Sequence, residues 1–156
     1  MKKLKYHKKI RLDQRMYHVP GLPCSVTICI KGRKCIFEDK SLSSDFLDLL
    51  GNHAKRVDIP LYAYCIMPDH IHLLMSASPK KGIVEFVREV KSLSTRIFWK
   101  YGYTGKIWQA SFYDHFLRED EDLQTVTGYI LNNPVRRGIV KKWEDYGFCG
   151  SWVFDL

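Results

Sequence analysis

The stretch Tyr62-Ala-Tyr-Cys-Ile-Met-Pro-Asp-His-Ile-His-Leu-Leu-Met75 decides how the rest of the chain is read. Leu61 to Met67 reads as a strand, and Pro68-Asp69 supplies a tight turn. The run from His70 to about Ser76 is too apolar and too short for a surface helix and reads as a second strand, so the two form an antiparallel hairpin. Side chains alternate along a strand, which puts His70 and His72 on one face and Ile71 on the other. Two imidazoles about 7 Å apart along the chain, from two residues of ~3.4 Å rise, can converge on one metal ion. The bland alternative for a strand histidine is a structural role.

Upstream, Pro20-Gly-Leu-Pro23 is a turn signal and Cys24 to Ile30 a β-branched first strand. Lys31 to Lys34 is a loop, and Ser41 to Ser44 offer N-caps for a helix running to about Arg56. Downstream, Ser78-Pro79 opens a helix from about Lys80 to Tyr101. Its apolar stripe is Ile83, Phe86, Val87, Val90, Leu93, Ile97, Phe98 and Tyr101, while Arg88, Lys91 and Lys100 fall outside it. A further strand is expected over Ser111 to Leu117. Glu119 to Asp122 read as the acidic first turn of a third helix through Leu123, Val126, Tyr129 and Ile130. Asn132-Asn133-Pro134 ends that helix, because a residue before proline is pushed out of helical geometry. Gly147 to Trp152 packs back on the body.

The element order is therefore β, α, β, β, α, β, α. It predicts an α+β fold: a ferredoxin-like antiparallel sheet with helices packed on one face. If Ile71 faces those helices, His70 and His72 look out from the opposite face.

The chain has 156 residues, and a basic arm over residues 1–19 followed by one domain over 20–156 accounts for them. No apolar run approaches the ~20 residues of a membrane span, and the N-terminus has no signal-peptide core. The five cysteines form no Cys-x-x-Cys pair, which favours reduced thiols and a cytoplasmic, nucleoid-associated location over a disulfide framework. The formal net charge is +8. Residues 1–15 carry seven basic side chains against Asp13 alone, either a solvated tail or a phosphate-binding arm. A polyanion is the expected partner, held with a steep salt dependence.

Pro68-Asp-His-Ile-His-Leu-Leu74, Trp108-Gln109, Tyr113-Asp-His-Phe-Leu-Arg118 and Tyr129-Ile-Leu-Asn-Asn-Pro-Val-Arg-Arg-Gly-Ile-Val140 together resemble the single-tyrosine HUH transposases, the IS200-like family, and within it the REP-associated tyrosine transposases. The resemblance implies metal-dependent cleavage and strand transfer on single-stranded DNA near small hairpins. By it, His70 and His72 bind Mg2+ or Mn2+, Tyr129 is the nucleophile that forms a 5′-phosphotyrosine, and Asn133 is a third metal ligand. Spacing agrees, since Tyr129 and Asn133 stand four apart on one helical face.

For each of these residues a bland role stays open from sequence. Tyr129 can be a rim tyrosine, and Asn133 a helix-end cap. Asp69 and His115 are fallback ligands. Trp108 and Tyr113 can stack on unpaired bases or belong to the core. Arg88, Lys91, Arg136 and Arg137 are candidates for phosphate contact or simple solvated charges. Gly128, costly inside a helix, suggests a close approach. A transposase descendant that binds nucleic acid without cutting it is the alternative function, and the chain can be a monomer or a homodimer.

Overall fold

The computed structural model describes residues 13–156, so most of the basic arm lies outside the described residues. Its end is folded. Gln14–His18 form a 3-10 turn capped by the Asp13 side chain. Tyr17 is buried edge-on against Phe116, ring centroids 5.2 Å apart, and its hydroxyl donates to Asp114. The packed body thus reaches back beyond Pro20.

Five antiparallel strands form one sheet: β1 (Cys24–Cys29), β2 (Leu61–Met67), β3 (His70–Met75), β4 (Tyr113–Phe116) and β5 (Cys149–Gly150), in the order β4-β1-β3-β2-β5. The first four carry the strand order of a ferredoxin-like sheet, as the sequence predicts. The two-residue β5 is too short to show any alternation in sequence. It pairs beside β2 with Cys149 opposite Cys65.

Helices α1 (Lys40–Arg56) and α2 (Ile83–Lys100) pack on one face of the sheet. There Ile28, Ile66 and Ile71 meet Phe46 and Phe86 in a fully buried core. Helix α3 (Leu123–Leu131) lies on the other face, where Ile130 packs on Ala63, Cys65, Met67 and Leu74. A one-turn helix α4 (Asn133–Arg136) follows, with proline in its first turn, where its missing N–H costs nothing. The face carrying the histidines is therefore partly covered by α3, so the helices do not all pack on one face as the sequence predicts.

Several element ends differ from the sequence expectation. Asp39, not Ser41 to Ser44, caps α1, accepting from the Ser41 and Leu42 backbone N–H groups. Ser78 receives the Lys80 and Lys81 N–H groups in a separate turn, so α2 begins only at Ile83. Glu119 to Glu121 precede α3, and Asp122 caps it by accepting from the Thr125 N–H. Leu93, counted on the apolar stripe, is 40% exposed. The buried position beside it belongs to Ser94, which accepts the Trp108 indole N–H at 2.9 Å. Trp108 is core, in ring contact with Phe37, Phe46 and Phe98.

Candidate metal and nucleic-acid site

The hairpin places His70 and His72 two residues apart on β3, opposite Cys29 and Thr27 of β1. Their Nε2 atoms face each other at 3.0 Å, with the ring planes perpendicular. Each ring is held through its other nitrogen. His70 Nδ1 is 2.6 Å from Asp69 Oδ1, and His72 Nδ1 is 3.0 Å from Thr27 Oγ1. With a carboxylate on Nδ1, His70 carries its proton there and turns the Nε2 lone pair toward His72. Two lone pairs cannot face each other at this distance, so the gap takes a proton or a cation.

The donor set fits a metal. Adjacent donors around an octahedral ion with bonds of ~2.1 Å stand ~3.0 Å apart, the separation of the two Nε2 atoms. Among the described residues no third His, Cys, Asp or Glu completes a cluster. Further ligands would be amide, water or phosphate oxygens.

Electrostatics keep both rings neutral and ready to ligate. Burial pushes His72 down to about 3, helped by the charges of His70, Arg136, Arg33 and Arg137. Burial likewise lowers His70, outweighing the hydrogen bond to Asp69 that raises it. Asp69 stays below the ordinary carboxylate range. Burial alone would raise it, but hydrogen bonds from His70 and from Arg33, whose Nε is 2.8 Å away, outweigh that. The three arginines whose charges reach His72 form a positive rim suited to a phosphodiester.

Tyr129 is 65% exposed. The Arg136 guanidinium stacks over its ring at 3.7 Å from the centroid and donates to its carbonyl oxygen at 2.7 Å. Asn133 has both polar atoms engaged at the helix end: Nδ2 donates to the Ile130 carbonyl and Oδ1 accepts from Arg136, each at 2.9 Å. Arg137 lies 3.9 Å from Asp69.

The other sequence candidates stand elsewhere. Lys91 donates to the Gln109 and Ser111 carbonyls at 2.9 and 2.7 Å, so its ammonium pins the segment leading to β4. Arg88 is exposed on α2, across the sheet from the histidines. Asp69 serves His70 through Nδ1 rather than standing beside the Nε2 pair. His115 is paired with Glu121 at 2.8 Å. Tyr113 is 46% exposed on β4, on the histidine face by its register with Thr27. A side chain at Gly128 would meet nothing within 4 Å, so no close approach requires that glycine.

Two residues of the site escaped the sequence reading, Thr27 and Arg33. Thr27 alone left a trace, as the hydroxyl that alternates with Val26 and Ile28.

Similarity to known proteins bears on the family and the fold. The family model described as Transposase IS200 like matches residues 18–133. A REP-associated tyrosine transposase of Escherichia coli K12 is 28% identical over 142 residues, spanning 87% of this chain and 80% of its own. The ISDra2 transposase TnpA of Deinococcus radiodurans is 32% identical over 68 residues, 44% of this chain and 48% of its own. A solved REP-associated tyrosine transposase bound to a REP hairpin superposes with a TM-score of 0.66 at 21% identity, covering 85% of this chain and 78% of that one; at that identity it speaks for the fold. With the model spanning most of the chain, this protein belongs to the IS200-like transposase family.

Proposed function

We propose that this protein nicks and rejoins single-stranded DNA beside hairpins, with Tyr129 as nucleophile and His70 and His72 as ligands of Mg2+ or Mn2+. The observation that carries the proposal is the His70–His72 pair. Two neutral imidazoles turn their Nε2 atoms together at 3.0 Å, each is fixed through Nδ1, and the charges of Arg33, Arg136 and Arg137 reach His72. Imidazole nitrogen is not the usual magnesium partner, which favours Mn2+ or a shell of mixed nitrogen and oxygen donors. When bound, the ion supplies Lewis acidity toward the scissile phosphate.

The chain's own residues do the rest. Arg33, Arg136 and Arg137 draw the phosphodiester to the histidine end of the sheet and neutralise part of its charge. A phenol of pKa ~10 is a weak nucleophile near neutrality, so this neutralisation matters to Tyr129. The Tyr129 oxygen forms a bond to phosphorus as the bond from phosphorus to the 3′ oxygen breaks. The proton lost by the phenol is balanced by the one gained at the released 3′-OH, and the 5′ end remains on Tyr129. The new linkage is a diester like the old one, so a second 3′-OH can reverse the step without ATP. Asn133 becomes available as a further ligand when Arg136 turns from it to phosphate.

Incubation with Mn2+ and labelled hairpin-bearing single strands tests this directly. A denaturant-stable covalent adduct is expected with the parent and none with Tyr129→Phe, while DNA affinity is kept. An adduct on the Tyr129→Phe variant removes that residue as nucleophile. Binding with no adduct from the parent, over a broad hairpin library, favours a binding protein that no longer cuts.

A further inference from the structure

A second basic feature lies next to the histidine site and belongs to none of the roles above. The loop Lys31 to Lys34 and the loop Gly102 to Ile107 enclose a hollow of about 570 Å3. They are tied together by the Lys31 N–H donating to the Ile107 carbonyl at 2.7 Å and by the bridge between Ile30 and Trp108. Three lysines, Lys31, Lys34 and Lys106, line the hollow together with Tyr103, and no acidic residue lines it. Among the described residues none of the three ammonium groups has a carboxylate partner, and residues 1–12 contain no acid. Gly32, with φ +71, and Gly105, with φ +73, let both loops bend around the hollow in a backbone conformation that L side chains rarely adopt.

Position adds to composition. Arg33, in the middle of the first loop, reaches the other way. Its guanidinium binds Asp69 at 2.8 Å and the Cys29 sulfur at 3.1 Å, and Asp69 holds His70. One short loop thus links the three lysines to the histidine end of the sheet.

We infer that this hollow is a binding subsite for the unpaired strand that flanks the cleaved phosphate, the lysines holding its backbone phosphates and Tyr103 lying against a base. The inference rests on the proposal that the substrate is single-stranded DNA. A recess between two loops admits an unpaired nucleotide, whereas a duplex presents a convex backbone that meets only its mouth. Sequence-tolerant single-strand sites combine a basic groove with an aromatic platform in this way. The Lys106 charge also reaches Lys91, whose pKa is lowered by burial and by that charge.

The test is a binding measurement without metal, in EDTA, so that cleavage plays no part. Fluorescence anisotropy compares the parent with Lys31→Gln/Lys34→Gln/Lys106→Gln on three probes: an oligo(dT) strand, a hairpin with an unpaired flank, and the same hairpin blunt-ended. The three side chains are exposed, and matching melting curves verify that the variant is folded. Losing three phosphate contacts is expected to flatten the log–log salt slope by about 2 and to weaken the strand and the flanked hairpin about ten- to a hundredfold at moderate salt. The blunt hairpin should change less than about twofold, a charge effect alone. Equal loss on the blunt hairpin would overturn the subsite in favour of a duplex-binding patch, and no loss on any probe would overturn it outright. Tyr103→Leu on the oligo(dT) probe isolates the aromatic part, which should cost about five- to a hundredfold in affinity; an unchanged affinity removes Tyr103 from the site. Failure of the transposase reading would appear instead as a missing covalent adduct in the parent, whatever these affinities are.

Discussion

The guanidinium of Arg136 lies flat over the ring of Tyr129, 3.7 Å from its centroid, while one of its nitrogens donates to Asn133 Oδ1 at 2.9 Å. One side chain therefore restrains both residues of α3 and α4 to which the family resemblance gives chemical roles. Its charge also reaches His72.

Replacing Arg136 separates restraint from charge. Arg136→Ala is expected to lower the salt slope of single-strand binding by about 0.7, one phosphate contact. Arg136→Lys should restore that slope but not the rate of adduct formation, because an ammonium cannot stack and bridge as the planar guanidinium does. Full recovery of the adduct rate by lysine would show that charge alone is needed. Anisotropy titrations and single-turnover gels read the two effects.

Thr27 should matter through the ring it holds. Its hydroxyl fixes the His72 ring at 3.0 Å, and loss of such a partner typically costs about 10- to 100-fold in metal affinity. Thr27→Val keeps the shape of the strand, so Mn2+ titration by calorimetry should show the loss at nearly unchanged apo stability. In the parent, Mn2+ at a hundred times its dissociation constant should add about 2.7 kcal/mol to unfolding stability, less in the variant at the same concentration.

Neighbours on β3 should respond in opposite ways. Ile71 is fully buried under α1 and α2, and Ile71→Val should cost about 0.5–1.5 kcal/mol in urea denaturation while leaving Mn2+ affinity within about twofold. His72→Ala should abolish Mn2+ binding. An Ile71→Val effect on metal affinity as large as that of Thr27→Val would contradict the separation of the two faces.

Glu89 gives the fold an acid-sensitive tie. Its carboxylate joins Lys81 at 2.6 Å and His53 of α1 at 2.7 Å. Burial alone would raise its pKa, but the hydrogen bonds from Lys81 and His53 outweigh it and hold the group below its usual 4.5. The unfolded chain takes up the proton first as pH drops, so this stabilisation is present above about 4.5 and is lost as pH falls through the folded value. With the side chain a third exposed, solvent limits it to under about 1 kcal/mol. Glu89→Gln should lower the urea midpoint at pH 7, and the difference from the parent should shrink as pH falls below 4.5 and vanish once the folded carboxyl is protonated. A difference that persists there would assign it to packing.

The α+β fold was legible because its signals are local. Short apolar runs on either side of Pro68-Asp69, a helical stripe in Phe86 to Phe98 and turn residues between them state each element without help from the rest of the chain. The two-residue period of a strand put the two histidines on one face and Ile71 on the other, and the structure showed Ile71 to be on the helix side. What sequence could not state were the relations among elements. Thr27 meets His72 only through strand register, forty-five residues apart in the chain. Arg33 meets Asp69 only because the loop after β1 folds against the hairpin turn. The two-residue β5 has no signal of its own; it pairs with β2, where Tyr146 also donates its hydroxyl to the Ile66 carbonyl at 2.6 Å and Trp152 stacks on Tyr64. Lys91, which reads as a free cation in a helical pattern, is drawn to two loop carbonyls that no periodicity places beside it. Periodicity records which way a side chain points, whereas its partner is chosen by packing across the sheet. The sequence by itself therefore named the two histidines and the face they share; only the tertiary structure decided that their ε nitrogens meet, what holds each ring, and which arginine charges reach them.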